Sequence, residues 1–123
     1  LGVVQERSGG VTWTGTWRRR TGTSYDGGST RSATAKGASA TFSFTGSAIG
    51  WVGARGPGFG KATISVDGGP AATIDLRLSA DRFRRIVWAR AWATPGPHTV
   101  TIRVVGSGSY RRVDVDAFIV LGG

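Results

Sequence analysis

Four stretches of this chain alternate strictly between apolar and polar residues and then run into turn residues. They are Ala40-Thr41-Phe42-Ser43-Phe44-Thr45-Gly46, Ala62-Thr63-Ile64-Ser65-Val66-Asp67-Gly68-Gly69, His98-Thr99-Val100-Thr101-Ile102-Arg103-Val104 and Val113-Asp114-Val115-Asp116-Ala117-Phe118-Ile119-Val120. A period of two places alternate side chains on opposite faces, so each stretch reads as a half-buried β-strand. Nowhere does an apolar spacing of i, i+3, i+4, i+7 extend beyond a single turn. The 21 glycines carry no collagen-like period and cluster between the apolar runs, where turns need residues that accept positive φ. The chain reads as all-β.

At 123 residues it is long enough for one two-layer core and too short for two, so a single domain over 1–123 is expected. No apolar run approaches the ~20 residues of a membrane-spanning helix, and no basic region followed by an apolar core opens the sequence. With no cysteine, disulfides, thiolate metal sites and cysteine nucleophiles are excluded. Fourteen arginines and two lysines against seven acidic residues leave a net charge of +9, which attracts polyanions and weakens with salt. Short runs occur at Arg18-Arg19-Arg20, Arg84-Arg85 and Arg111-Arg112; each reads most simply as a solvated strand end or loop tip.

Along the chain, Val3-Val4-Gln5 reads as a short edge strand and Val11 to Trp17 as a strand or extended segment with aromatic anchors. Residues 21–29 read as a long polar loop, and Thr30 to Ala35 as a polar strand. Ala38–Thr45 and Ala48–Gly53 are separated by a turn at Gly46-Ser47. Asp67-Gly68-Gly69-Pro70 is a hairpin signal. Arg85–Trp92 and His98–Val105 are separated by Pro95-Gly96-Pro97. Eight or nine short strands around one core point to a two-sheet antiparallel β-sandwich. Its core is expected at Phe42, Phe44, Ile64, Val66, Ile74, Val100, Ile102, Val104, Val113, Val115 and Phe118.

The order of these signals resembles the galactose-binding-like jelly-roll family. The residues that carry the likeness are Tyr25-Asp26-Gly27-Gly28, Gly37-Ala38, Phe42-x-Phe44-x-Gly46, Val66-Asp67-Gly68, Pro95-Gly96-Pro97-His98-Thr99-Val100 and Val115-Asp116-Ala117-Phe118. The likeness covers the chain from Trp13 to Val120, and its residues mark turns and core positions, so they speak for the fold more than for a ligand. The resemblance implies a jelly roll of the carbohydrate-binding-module type, as appended to secreted bacterial enzymes and surface proteins. It also implies a place for a structural calcium near a sandwich edge, with Asp26 and Asp116 as the donors; no other cofactor is expected.

Catalysis finds little support. No G-x-S-x-G elbow occurs, and the single histidine, His98, opens a strand where it is expected to hydrogen-bond a neighbouring loop. Asp114 and Asp116 fall on one face of the last strand, ~7 Å apart by strand rise, and with fourteen arginines present ion pairing or loop anchoring suits them better than acid–base work. Asp67 reads as a turn residue.

What remains is aromatic and cationic. Sugars present apolar C–H faces and a rim of hydroxyls, and are held by flat rings beside planar donors and acceptors. Of five tryptophans, Trp13, Trp51 and Trp88 sit in apolar contexts and read as structural, whereas Trp17 and Trp92 are the better candidates for exposure. Alternation puts Trp88, Arg90 and Trp92 on one face. That face is a ligand platform if Ala89 and Ala91 point inward, and shrinks to a loop residue if Trp88 does. Arg55 and Phe59 lie in a glycine-rich loop that either binds ligand or buries Phe59 as a cap. The candidate ligand residues are thus Trp92, Arg90, Trp88, Arg55, Phe59 and Trp17.

The expected function is a non-catalytic module, secreted or at the cell surface, that targets a polysaccharide or cell-surface glycan, acidic ones included. The alternative is an adhesion or assembly module of a surface layer, fibre or phage particle, meeting neighbouring domains or identical subunits. Nucleic acid ranks last, because charge alone supports it.

Overall fold

The computed structural model describes residues 10–23, 25 and 28–122, and the backbone of 2–5. Ten strands follow one another: β1 (Gly2–Gln5), β2 (Val11–Thr14), β3 (Arg18–Thr21), β4 (Ser29–Ala33), β5 (Ser39–Arg55), β6 (Lys61–Val66), β7 (Ala72–Asp75), β8 (Arg82–Val104), β9 (Val113–Val115) and β10 (Ala117–Leu121). Among the described residues no helix is long and apolar enough to cross a membrane. One sheet has the order β1-β10-β5-β8-β6-β7, with β2 also paired to β5; the other has the order β3-β4-β9. Every paired strand runs antiparallel to its neighbour.

Two long strands turn this pattern into a sandwich. Residues 39–46 of β5 pair with 96–103 of β8, and residues 48–55 pair with 82–91. At the junction four residues of β8, 92–95, stand opposite the single Ser47, so both strands bend together. Beyond the bend β5 carries β10 and β1; before it β5 carries β2, while the second half of β8 carries β6. The layers meet where the Phe42 ring stacks on Phe118, centroids 4.6 Å apart.

Two expected turns are therefore bends within continuous strands. Gly46 and Gly96 stand directly opposite each other, and two facing glycines let both strands change direction without losing their pairing. A Cβ on Gly46 would lie 2.7 Å from the carbonyl oxygen of Leu121, so the absent side chain is what admits β10 there. The hairpin at 67–70 forms as expected. Asp67 and Gly68 have φ of 53° and 73°, and the Gly69 amide donates to the Val66 carbonyl at 2.9 Å, the geometry of a type I′ turn.

Phe42, Ile64, Val100, Ile102, Val104, Val113, Val115 and Phe118 are buried, joined by Trp51, Phe59 and Leu76. Phe44, Val66 and Ile74 are half-buried and pack against that core. Arg18-Arg19-Arg20, read as a strand end or loop tip, forms most of β3 and pairs with β4 from Arg18↔Ser32 to Thr21↔Ser29. Its charge suits an edge strand, which must not pair with another chain.

Candidate functional site

At one end of the sandwich three loops, 56–60, 76–81 and 105–112, meet one another and Tyr25. Beneath them lies a charged network. The buried Asp114 accepts two bonds from Arg112, Nε to Oδ1 and Nη2 to Oδ2, both 2.8 Å, and a third at 2.6 Å from the Ser32 hydroxyl. Arg112 also donates to the Tyr25 hydroxyl at 3.2 Å and lies 4.6 Å over the Phe59 ring. Burial opposes the charge of Arg112, but the bonds to Asp114 outweigh it and hold its pKa above the ordinary arginine value. The guanidinium is a fixed cation that ties β9 to Tyr25.

The rim carries more arginine. The Arg84 guanidinium donates to the carbonyls of Thr23 and Tyr25, and the Tyr25 ring meets Phe83 edge-on at 5.6 Å. Arg84 itself has φ 54°, a conformation that non-glycine residues adopt only when surrounding contacts impose it.

The open part of this end is a groove of about 250 Å³ bordered by Lys61, Asp75, Arg77, Tyr110 and the serines of 107–109. Tyr110 is 46% exposed, and the Arg77 guanidinium lies 3.8 Å over its ring. The Arg77 amide donates to the Asp75 carboxylate at 3.0 Å. An adjoining depression shares Asp75 and Arg77 and is completed by Pro57, Leu78 and Ser79. A partly open aromatic ring, one carboxylate, two cations and two hydroxyls border one concavity, a combination that can hold a sugar by its apolar face and by its hydroxyls.

Of the residues singled out in the sequence, two border this end. Arg55 donates to the carbonyls of Asp75 at 2.5 Å and Val87 at 3.5 Å, so it braces the groove's floor. Phe59 is only 2% exposed; it packs under Arg112 and lines the inner wall of the groove, which is the buried-cap alternative of the two that its loop allowed.

The others lie elsewhere. Trp88 stands opposite the buried Trp51 and Arg90 opposite the buried Ile49. Trp88 and Trp92 are half-buried and pack against the core, whereas Arg90 between them is exposed and borders an outward depression with Ala89 and Ala91; the alanines do not point inward, and a platform of all three side chains does not form. Trp92 at the bend is stacked on His98, centroids 3.7 Å apart and planes within 10°, with Arg90 5.2 Å from its ring. His98 Nδ1 lies 2.7 Å from the Asp67 carboxylate, whose other oxygen accepts the Thr99 amide at 2.7 Å. These bonds, the one to His98 foremost, hold the Asp67 carboxyl below the ordinary aspartate value. His98 thus anchors a loop, as its position in the sequence suggested. Trp17 is half-buried, edge-on to Trp13 at 4.9 Å, and its indole donates to the Thr14 carbonyl at 3.1 Å.

Asp26 lies outside the described residues. Asp116 is buried at the break between β9 and β10, and its amide donates to the Val52 carbonyl at 2.9 Å. Among the described residues no three His, Cys, Asp or Glu side chains gather as a metal site.

Tyr110, Asp75 and Arg77 escaped the sequence reading. The signal was present in Gly106-Ser107-Gly108-Ser109-Tyr110, an aromatic residue at the end of a loop of glycine and serine, where nothing nearby in the chain can cover it.

No protein-family model matches the chain. It is 32% identical over 128 aligned positions to an A type blood N-acetyl-alpha-D-galactosamine deacetylase of Flavonifractor plautii, covering 97% of this chain and 15% of that one. It is 35% identical over 78 residues to an A type blood alpha-D-galactosamine galactosaminidase of the same organism, covering 63% and 7%. The chain thus spans a small part of either relative. Among solved structures it is similar to a family two carbohydrate esterase from Cellvibrio japonicus, with a TM-score of 0.74 and 14% identity over 99% of this chain and 33% of that one. Two isolated modules match end to end. A CBM35 from Cellvibrio japonicus has a TM-score of 0.64 at 17% identity, covering 98% and 93%. The CBM36-1 domain of a multidomain xylanase from the hindgut metagenome of Trinervitermes trinervoides has 0.63 at 12%, covering 99% and 97%. The chain has the jelly-roll fold that these modules share.

Proposed function

We propose that this chain is a non-catalytic carbohydrate-binding module of a larger secreted protein, and that its ligand lies in the groove of Tyr110, Arg77 and Asp75. The observation that carries the reading is the partly exposed tyrosine, backed by an arginine and flanked by a carboxylate, at the loop end of a fold that recurs as free-standing modules. The names of the two curated relatives add a substrate class: both act on galactosamine-type sugars of A type blood, so a cell-surface glycan ending in such a sugar is the first ligand to try. The module would raise the effective concentration of an attached enzyme at its substrate.

A glycan array carrying A-type blood sugars tests this with Tyr110→Ala beside Trp92→Ala. Loss of a stacking ring lowers affinity about tenfold in the first variant and leaves the second unchanged; equal binding by wild type and Tyr110→Ala overturns the site. A structural calcium belongs to the same reading, held by Asp116 together with backbone carbonyls. It predicts that chelation lowers the thermal midpoint of the wild type and leaves Asp116→Asn little affected.

A second reading, assembly with an identical subunit, draws on the outward face beyond the bend. There Ala48, Gly50, Ala89 and Ala91 form a shallow apolar depression beside Ile86 and Leu121, which are 58% and 45% exposed. Light scattering decides it: a dimer that Ile86→Ser dissociates supports assembly, and a monomer at all concentrations removes it.

A further inference from the structure

A second groove lies on the other sheet, beside edge strand β3. It has a volume of about 300 Å³ and is lined by Thr16, Arg18, Arg20, Ser32, Ala33 and Thr34. Arg18 and Arg20 are two residues apart on one strand and so point to the same side. None of the six lining residues is acidic.

A buried carboxylate behind the groove is already engaged. Asp114 holds Arg112 by two bonds and accepts a third from Ser32. Because the Ser32 hydroxyl gives its proton to Asp114, its lone pair is free to accept from Arg20 Nε, which it does at 3.0 Å. The buried aspartate thereby fixes the Arg20 fork through a serine that is 3% exposed, and among the described residues the rest of that guanidinium meets no carboxylate. Arg18 meets no acidic group among the described residues. Charge on an edge strand can serve merely to keep other chains away. That role asks for no orientation, whereas here one guanidinium is set in place by a relay from the core, with two threonine hydroxyls beside it.

We propose that this groove is an anion subsite for the carboxylate or sulfate group of an acidic sugar residue. Paired guanidinia offer planar donors that match either oxyanion, and the groove is about the size of one sugar residue. The proposal rests on the reading of the chain as a glycan-binding module but not on the Tyr110 groove, which lies among the loops.

The test uses immobilised polygalacturonate, whose anionic groups are carboxylates, and carrageenan, whose anionic groups are sulfates, at physiological salt, with a neutral A-type glycan as the third arm. Arg18→Gln/Arg20→Gln is compared with Arg85→Gln/Arg103→Gln, which removes the same charge from exposed positions elsewhere. Losing two charge-assisted contacts lowers affinity for the acidic polymer by tenfold or more, roughly, while the control pair costs no more than about threefold through long-range charge. Arg18→Gln alone serves if the double variant fails to fold, since Arg18 supports no network, and about a fivefold loss is expected. Whichever polymer binds more tightly identifies the group as carboxylate or sulfate. Equal losses in the two double variants, retention of duplex DNA but of neither glycan, or no retention at all overturns the subsite. Binding to the neutral glycan reads the Tyr110 groove separately and stays constant in every arginine variant.

Discussion

Asp114 accepts three bonds with its side chain, two from Arg112 and one from Ser32, and a fourth with its backbone, whose carbonyl accepts the Trp51 indole at 3.1 Å. Removing one partner of a buried ion pair leaves the other uncompensated, so Asp114→Ala should cost about 3 kcal/mol in chemical denaturation, with Arg112→Ala close behind. A penalty below about 1 kcal/mol would mean that water replaces the carboxylate. Asp67 works at the surface. Its folded pKa lies below that of the unfolded chain, so its contribution is present above the unfolded value and is lost as pH falls through the folded one. Asp67→Asn keeps a residue that tolerates the positive φ of this turn and should lower the thermal midpoint near neutrality, with the deficit closing under acid. A deficit independent of pH would assign the effect to the turn.

The strands themselves were largely legible, because alternation reports burial directly: β6, the hairpin after it, and the residues of β9 and β10 fall where period two placed them. The glycine and proline positions were misread as interruptions. Gly46 and Gly96 look like turns in one dimension, and only their pairing across the sheet shows that they allow two strands to bend together. β3 was missed because three consecutive arginines carry no alternation. At the site, Trp92 was expected to be exposed, and packing against the core half-buries it, while Trp88, read as structural, packs there too; Tyr110 was passed over although it ends a loop of glycine and serine. Two glycines near the groove separate space from conformation. A Cβ on Gly60 would run into the carbonyl oxygen of Tyr110, whereas one on Gly58 meets nothing within 4 Å. Gly60→Ala should cost about 1–3 kcal/mol and disturb the groove, while Gly58→Ala stays within about 0.5 kcal/mol. Thermal melts that place the two together would remove the argument for close packing of the loops.

At the scale of the whole molecule, fourteen arginines give a charge that persists at any pH the fold survives, so salt rather than pH should govern capture of acidic polymers. The bend in β5 and β8 has another consequence. A sandwich of separate sheets has a plane along which its halves can slide or part, but here two continuous strands of backbone cross from one half to the other. The two halves of the long sheet cannot be lost one at a time. Unfolding should be a single transition, with the same midpoint by tryptophan fluorescence and by far-ultraviolet circular dichroism, and refolding should take milliseconds to seconds because distant segments must meet before either long strand is complete. A protein pulled against an insoluble polymer is loaded through its backbone, and a weave of this kind spreads that load over both halves at once.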